Sequence, residues 1–163
     1  MPPRERPQLS SLRIDELDDA AGYMMTGLGL MHRQGRVLLV LPGSDRRWRL
    51  PGGVVRRMET PADAVRRSIR STTGVSVTVA SFLGVAHNPC ECSVELMFEV
   101  RPYEGCQACL DHDHILHAVW FPMNALPANC CEGTCSAITA FLEAGRSPFL
   151  VTHRGGERGI WQS

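Results

Sequence analysis

The chain has 163 residues with 17 basic and 17 acidic side chains, a formal net charge of zero, a length that fits one domain with a real core. All 17 basic residues are arginine, a bias of GC-rich coding, and with neither net positive charge nor an aromatic series beside them nucleic acid is not the expected partner. No run approaches the ~18 apolar residues of a membrane span and the start has no signal-like apolar segment, so no membrane, a cytoplasmic location and reduced thiols for the seven cysteines are expected.

Residues 1–10 are rich in proline and charge and read as a mobile arm, residues 11–150 as the domain, and residues 151–163 as a tail. Ser11 can cap a short helix over residues 12–21, with Asp15 and Glu16 in its first turn. Apolar runs at 22–32 and 37–41, split by Arg33-Gln34-Gly35-Arg36, read as a hairpin. A polar loop over 42–47 leads into a short segment at 48–50. The next helix has the plainest signals: Thr60 as N-cap, Pro61 at the first position, Asp63 completing the cap, and Gly74 as terminator. Its Ala62, Val65 and Ile69 are expected to face the core. Strands follow at 76–87, 94–101 and 115–121, with loops at 88–93 and 102–113, and a last helix at about 136–144 ending at Gly145.

The register around the capped helix resembles the Nudix box. That family's pattern is Gly, five residues, Glu, seven residues, then Arg-Glu-aliphatic-any-Glu-Glu-any-Gly-aliphatic, and Gly53, Glu59, Arg67, Ile69, Gly74 and Val75 match it in register. Trp48-Arg49-Leu50-Pro51-Gly52-Gly53 and the later Ala118-Val119-Trp120-Phe121-Pro122, followed by Ala125-Leu126-Pro127, are also similar to the family. The resemblance spans roughly residues 22–145 and implies an α/β fold: a Nudix-like α/β/α sandwich around a mixed, partly antiparallel sheet. It also implies hydrolysis of diphosphates by divalent cations held on helical carboxylates.

Those carboxylates are missing. The three glutamate positions of the pattern are Ser68, Ser71 and Thr72, on one helix face. Hard cations such as Mg²⁺ or Mn²⁺ take oxygen ligands and are usually held through carboxylates, so neutral hydroxyls give weak or absent binding. Between Asp45 and Ser71 eight arginines face three acids. A phosphate-like anion can therefore be met directly by guanidinium groups, or the arginines are a solvated face with Asp63 pairing to Arg67. Arg56 and Arg57, in the loop, and Arg67 are the candidate substrate-binding arginines, beside Ser68, Ser71, Thr72 and, at a strand end, His87.

Cys106, Cys109, His112 and His114 have a spacing that can surround a tetrahedral Zn²⁺. The alternative is that the cysteines are small buried fillers. In many Nudix enzymes a glutamate shortly before the Trp-Phe-Pro strand acts as base or extra ligand, and the corresponding residue here is His114, preceded by Asp111 and Asp113. An imidazole there would act as general acid or base near neutral pH without metal. The catalytic candidates are therefore His114, Asp111, Asp113 and Glu59; His32 and His153 carry no usable signal. The expected partner is a small anionic or heteroatom-rich ligand, with homodimerisation left open. The functions in competition are an enzyme of diverged chemistry, a non-catalytic ligand-binding module, and a diphosphate hydrolase with a rearranged metal site.

Overall fold

A computed structural model describes residues 22–89, 92–103, 115–145, 147–154 and 157–161. In chain order the elements are β1 (Met24–Arg33), β2 (Arg36–Pro42), β3 (Gly52–Val54), α1 (Pro61–Thr73), β4 (Val77–Asn88) and β5 (Ser93–Pro102). They continue as β6 (Ile115–Pro122), α2 (Glu132–Ala144), β7 (Phe149–Arg154) and β8 (Glu157–Trp161). The helix expected over residues 12–21 lies outside the described residues.

The strands run β6-β2-β1-β5-β4-β7-β8, with β3 on β1. β1 lies parallel to β5 from Met24 to Met31, while its other edge is shared, β3 pairing at Thr26 to Leu28 and β2 at His32 and Arg33. The sheet is thus mixed, with β4 antiparallel to β5 and parallel to β7. Trp48 and Arg49 of the short segment at 48–50 make single bridges to Cys130 and Val40, and the strand β3 follows at Gly52–Val54, where its place is set by backbone pairing to β1 and not by apolar side chains. β7 and β8 extend the sheet as an antiparallel pair, from Leu150 opposite Trp161 to Arg154 opposite Glu157.

Each face of the sheet carries one helix. Val65 and Ile69 of α1 are fully buried with Met31, Leu38 and Val100, while Ala137, Ile138 and Ala140 of α2 pack with Leu28, Leu30 and Met97 on the other side. Burial of each large aliphatic side chain contributes roughly 1.5–3 kcal/mol. On α1 the buried alanine is Ala64, and the expected Ala62 is half-buried, so the apolar stripe is rotated toward Ala64, Ser68 and Thr73. Close approach causes this: at Gly27 of β1 a Cβ would lie 2.7 Å from the Pro61 carbonyl oxygen and 2.8 Å from Val65.

The ends of α1 follow the sequence. Thr60 accepts the Asp63 backbone N–H at 3.1 Å, and Gly74, at φ 72°, donates to the Arg70 carbonyl at 2.9 Å. α2 begins at Glu132, one turn before the expected start, behind Cys131, which makes no side-chain cap. Its start is fixed by distant partners: the Cys131 N–H donates to the Trp48 carbonyl at 2.8 Å, and Thr134 Oγ1 accepts the Leu50 N–H at 3.1 Å.

Candidate active site on the β3–α1 segment

β3 lies flat against α1 because Gly53 has no side chain. A Cβ there would stand 2.7 Å from Ser68 Oγ, so the strand approaches the helix only as glycine. The chain then loops through Val55 to Thr60, with Met58 at φ 65° and 98% exposed, before entering α1.

Glu59 closes this loop onto the helix. Its Oε1 accepts Arg67 Nε at 2.6 Å, and Oε2 accepts Arg67 Nη2 at 2.8 Å and the Arg56 N–H at 3.0 Å. Arg67 Nη2 also donates to the Val54 carbonyl at 3.0 Å. A bidentate, charge-assisted pair of this kind fixes geometry as well as energy. The Arg67 hydrogen bond, then the Arg56 N–H, bring the Glu59 carboxyl down to about 2 against the effect of burial, and Glu59 in turn raises Arg67. Because the folded value lies below the ordinary 4.5, the pair stabilises the fold fully above that value and loses its effect as pH falls through about 2. The melting-temperature gap between wild type and Glu59→Gln is therefore expected to be largest near neutral pH and to close between about pH 4.5 and 2. Thermal melts across that range check it, and a gap that widens on acidification would overturn the assignment.

The three hydroxyls point into the backbone. Ser68 Oγ, in a residue only 6% exposed, donates to the Gly52 carbonyl at 2.6 Å. Ser71 Oγ and Thr72 Oγ1 both donate to the Ser68 carbonyl, at 3.1 and 2.7 Å. This surface does not fit Mg²⁺ or Mn²⁺: of the pattern's glutamate positions only Glu59 keeps a carboxylate, already paired with Arg67, Asp63 is paired with Arg66, the other three positions are uncharged, and Arg56, Arg57, Arg66 and Arg70 are exposed. Among the described residues no group of three or more His, Cys, Asp or Glu side chains is arranged to hold a metal ion.

The structure brings together Glu59, Arg67, Ser68, Ser71 and Thr72, as the register implied. Asp63 pairs with Arg66 at 2.7 Å, not with Arg67, whose guanidinium is turned toward Glu59. Arg56 contributes its backbone N–H to Glu59. His87, near the end of β4, has its Nε2 3.2 Å from the Tyr23 hydroxyl and, among the described residues, makes no hydrogen bond or ion pair with Glu59, Arg67 or the three hydroxyls. Cys106, Cys109, Asp111, His112, Asp113 and His114 lie outside the described residues. Three other cysteines gather at the start of α2, where burial, then Cys135 and Cys131, push the Cys130 thiol up to about 12, so it is held protonated.

The family model described as NUDIX domain matches residues 25–132. A MutT-like protein of Streptomyces ambofaciens is 33% identical over 78 residues, 48% of this chain and 51% of that one, so the chain spans about half the length of the relative it matches. Among solved structures, a MutT NUDIX hydrolase from Burkholderia pseudomallei superposes with a TM-score of 0.67 at 24% identity, covering 74% of this chain and 98% of that one. An ADP-ribose pyrophosphatase from Streptococcus suis gives 0.65 at 20% identity over 80% and 98%. At these identities the two likenesses establish the fold: a mixed sheet between two helices.

Proposed function

The chain belongs to the NUDIX domain family, and from that starting point we propose that it is an enzyme whose chemistry has moved away from Mg²⁺-dependent diphosphate hydrolysis. It acts on a small anionic or heteroatom-rich substrate, bound against the β3–α1 segment by the guanidinium groups of Arg56 and Arg57, with the uncharged face of Ser71 and Thr72 beside it accepting hydrogen bonds from the substrate's donors. His114 supplies the acid or base, with Asp111 and Asp113 orienting it. In this reading Glu59 and Arg67 hold the loop and do not meet the substrate.

One observation carries the reading. The box's carboxylate and hydroxyl protons are committed to protein partners in a field of arginines, an arrangement that favours an anion over a divalent cation. The position of β6 supports His114: its first residue, Ile115, pairs with Pro42, and Val40 of the same strand bridges Arg49, three residues before Gly52. The start of β6 is thereby brought toward the segment that enters the box. Among the described residues no helix is long and apolar enough to cross a membrane.

The test is a panel of nucleoside di- and triphosphates, ADP-ribose and nucleotide sugars with Mg²⁺ or Mn²⁺. Turnover is expected below about 1 s⁻¹, the low end of ordinary enzymes, and a chelator is expected to make no difference. Hydrolysis at ordinary rates, abolished by chelator, would return the protein to the metal-dependent class.

A further inference from the structure

A groove of about 840 Å³ lies away from the box, between the C-terminal turn of α2 and the ends of β1, β4 and β5. Side chains alternate along a strand, so His32 shares the face of Leu30, and Glu99 that of Met97, both packed toward α2. On β1, His32 is four residues from Leu28, which pairs with Gly52, a separation of ~13 Å.

The floor of the groove is Glu99, whose side chain keeps 19% exposure. Its Oε1 accepts His32 Nε2 at 3.2 Å and Arg101 Nη2 at 3.3 Å, and its Oε2 accepts Ser81 Oγ at 3.1 Å. Two bulges in β4 build this arrangement. The first, between Val79 and Ser81, sets Ser81 opposite Glu99; the second, between Phe82 and Gly84, accompanies Leu83 in the α2-side core. Bulges re-aim side chains in this way and are enriched beside functional sites. The walls are apolar: Leu83, Phe141, whose ring lies 5.3 Å from His32, and Leu142, 53% exposed.

The three donors on Glu99 are not equally held. Ser81 and His32 are fixed by the bulge and the Phe141 ring, whereas Arg101 makes one long contact from a side chain 68% exposed, and ion pairs of that kind are weak. An incoming cation can take its place. The freed guanidinium is then open to an anion, so a ligand carrying both charges meets Glu99 and Arg101 together, where a ligand with only one charge meets one of them. The volume falls within the ~300–1,000 Å³ usual for small-molecule sites.

We propose that this groove binds a small zwitterion with an apolar body: its ammonium replaces Arg101 on Glu99, its carboxylate pairs with Arg101, and its apolar part lies on Leu83, Phe141 and Leu142. The exchange leaves the net charge of the site unchanged and converts one exposed ion pair into two. The site is independent of the reaction at the box.

Three matched probes test it on the full chain: L-phenylalanine, 2-phenylethylamine, which lacks the carboxylate, and 3-phenylpropionate, which lacks the ammonium. Titrations followed by amide chemical shifts are expected to show saturable binding of phenylalanine, at least about tenfold tighter than either analogue. The shifts should centre on Ser81, Glu99 and Leu142. Glu99→Gln should weaken phenylalanine and the amine but spare the propionate, and Arg101→Gln should weaken phenylalanine and the propionate but spare the amine. Leu142→Asp, at an exposed position that leaves the fold intact, should weaken all three. Absence of saturable shifts at millimolar phenylalanine, equal affinity for the three probes, or unchanged binding in folded Glu99→Gln would overturn the proposal.

Discussion

Replacing His114 by alanine is expected to lower turnover of the protein's own substrate by about 10²-fold or more while leaving the fold intact, the usual scale for losing a general acid or base. The hydroxyls of the box are poor bases and Glu59 is held by Arg67 well below neutral titration. Proton transfer near pH 7 then needs an imidazole, the side chain that titrates there. The check compares kcat/KM for wild type and His114→Ala over a pH series, with circular dichroism as the folding control. The neutral limb of the wild-type profile should disappear in the variant. A folded variant with unchanged turnover would remove His114 from the mechanism and give the proton transfer to another group.

Restoring two carboxylates should restore a cation. Ser71 is exposed and Thr72 half-buried, so a Ser71→Glu/Thr72→Glu double variant can fold without rebuilding the contact of buried Ser68 with Gly52. It is expected to bind Mn²⁺ at the box and the wild type is expected not to, because hard cations need the anionic oxygens these positions lack. At 100 times the dissociation constant the gain in stability is about 2.7 kcal/mol. For a domain of this size that is roughly 5–11 °C in melting temperature. Melts with and without Mn²⁺ check it. Equal, chelator-reversible stabilisation of the wild type would mean that a metal is held by other residues and that the missing carboxylates do not decide the chemistry.

How far these features can be read from the sequence depends on how local their causes are. α1 was legible to the residue because Thr60, Pro61, Asp63 and Gly74 act within one turn of its ends. The register picked out Gly53, Glu59 and Arg67 as site residues, but that the last two clamp each other is seen only in the structure. The start of α2 was not legible, since Cys131 does not cap it and the bonds that fix it come from Trp48 and Leu50, more than 80 positions away. β3 was not legible because two glycines give no strand signal and only pairing to β1 defines them. The Glu99 cluster was invisible for the same reason: His32 lies 67 positions and Ser81 18 positions from Glu99, and a bulge that no sequence pattern marked brings Ser81 into register. Conversely, the Asp63–Arg67 spacing was correct for a helix pair and still not used, because a bidentate partner at Glu59 outcompetes an exposed one.

The attachment of α1 has a consequence for how such a protein can change over time. The helix is anchored by Val65 and Ile69 in the core, by the bare backbone of Gly27, and by Arg67 on Glu59. None of these is one of the three positions where the family pattern has its helical glutamates. Position 68 is itself tied to β3 through Gly52, but positions 71 and 72 lie clear of these anchors and can drift through many residue types at little cost in folding. A lineage can lose a metal there, and explore other ligands, without first passing through an unfolded intermediate sequence.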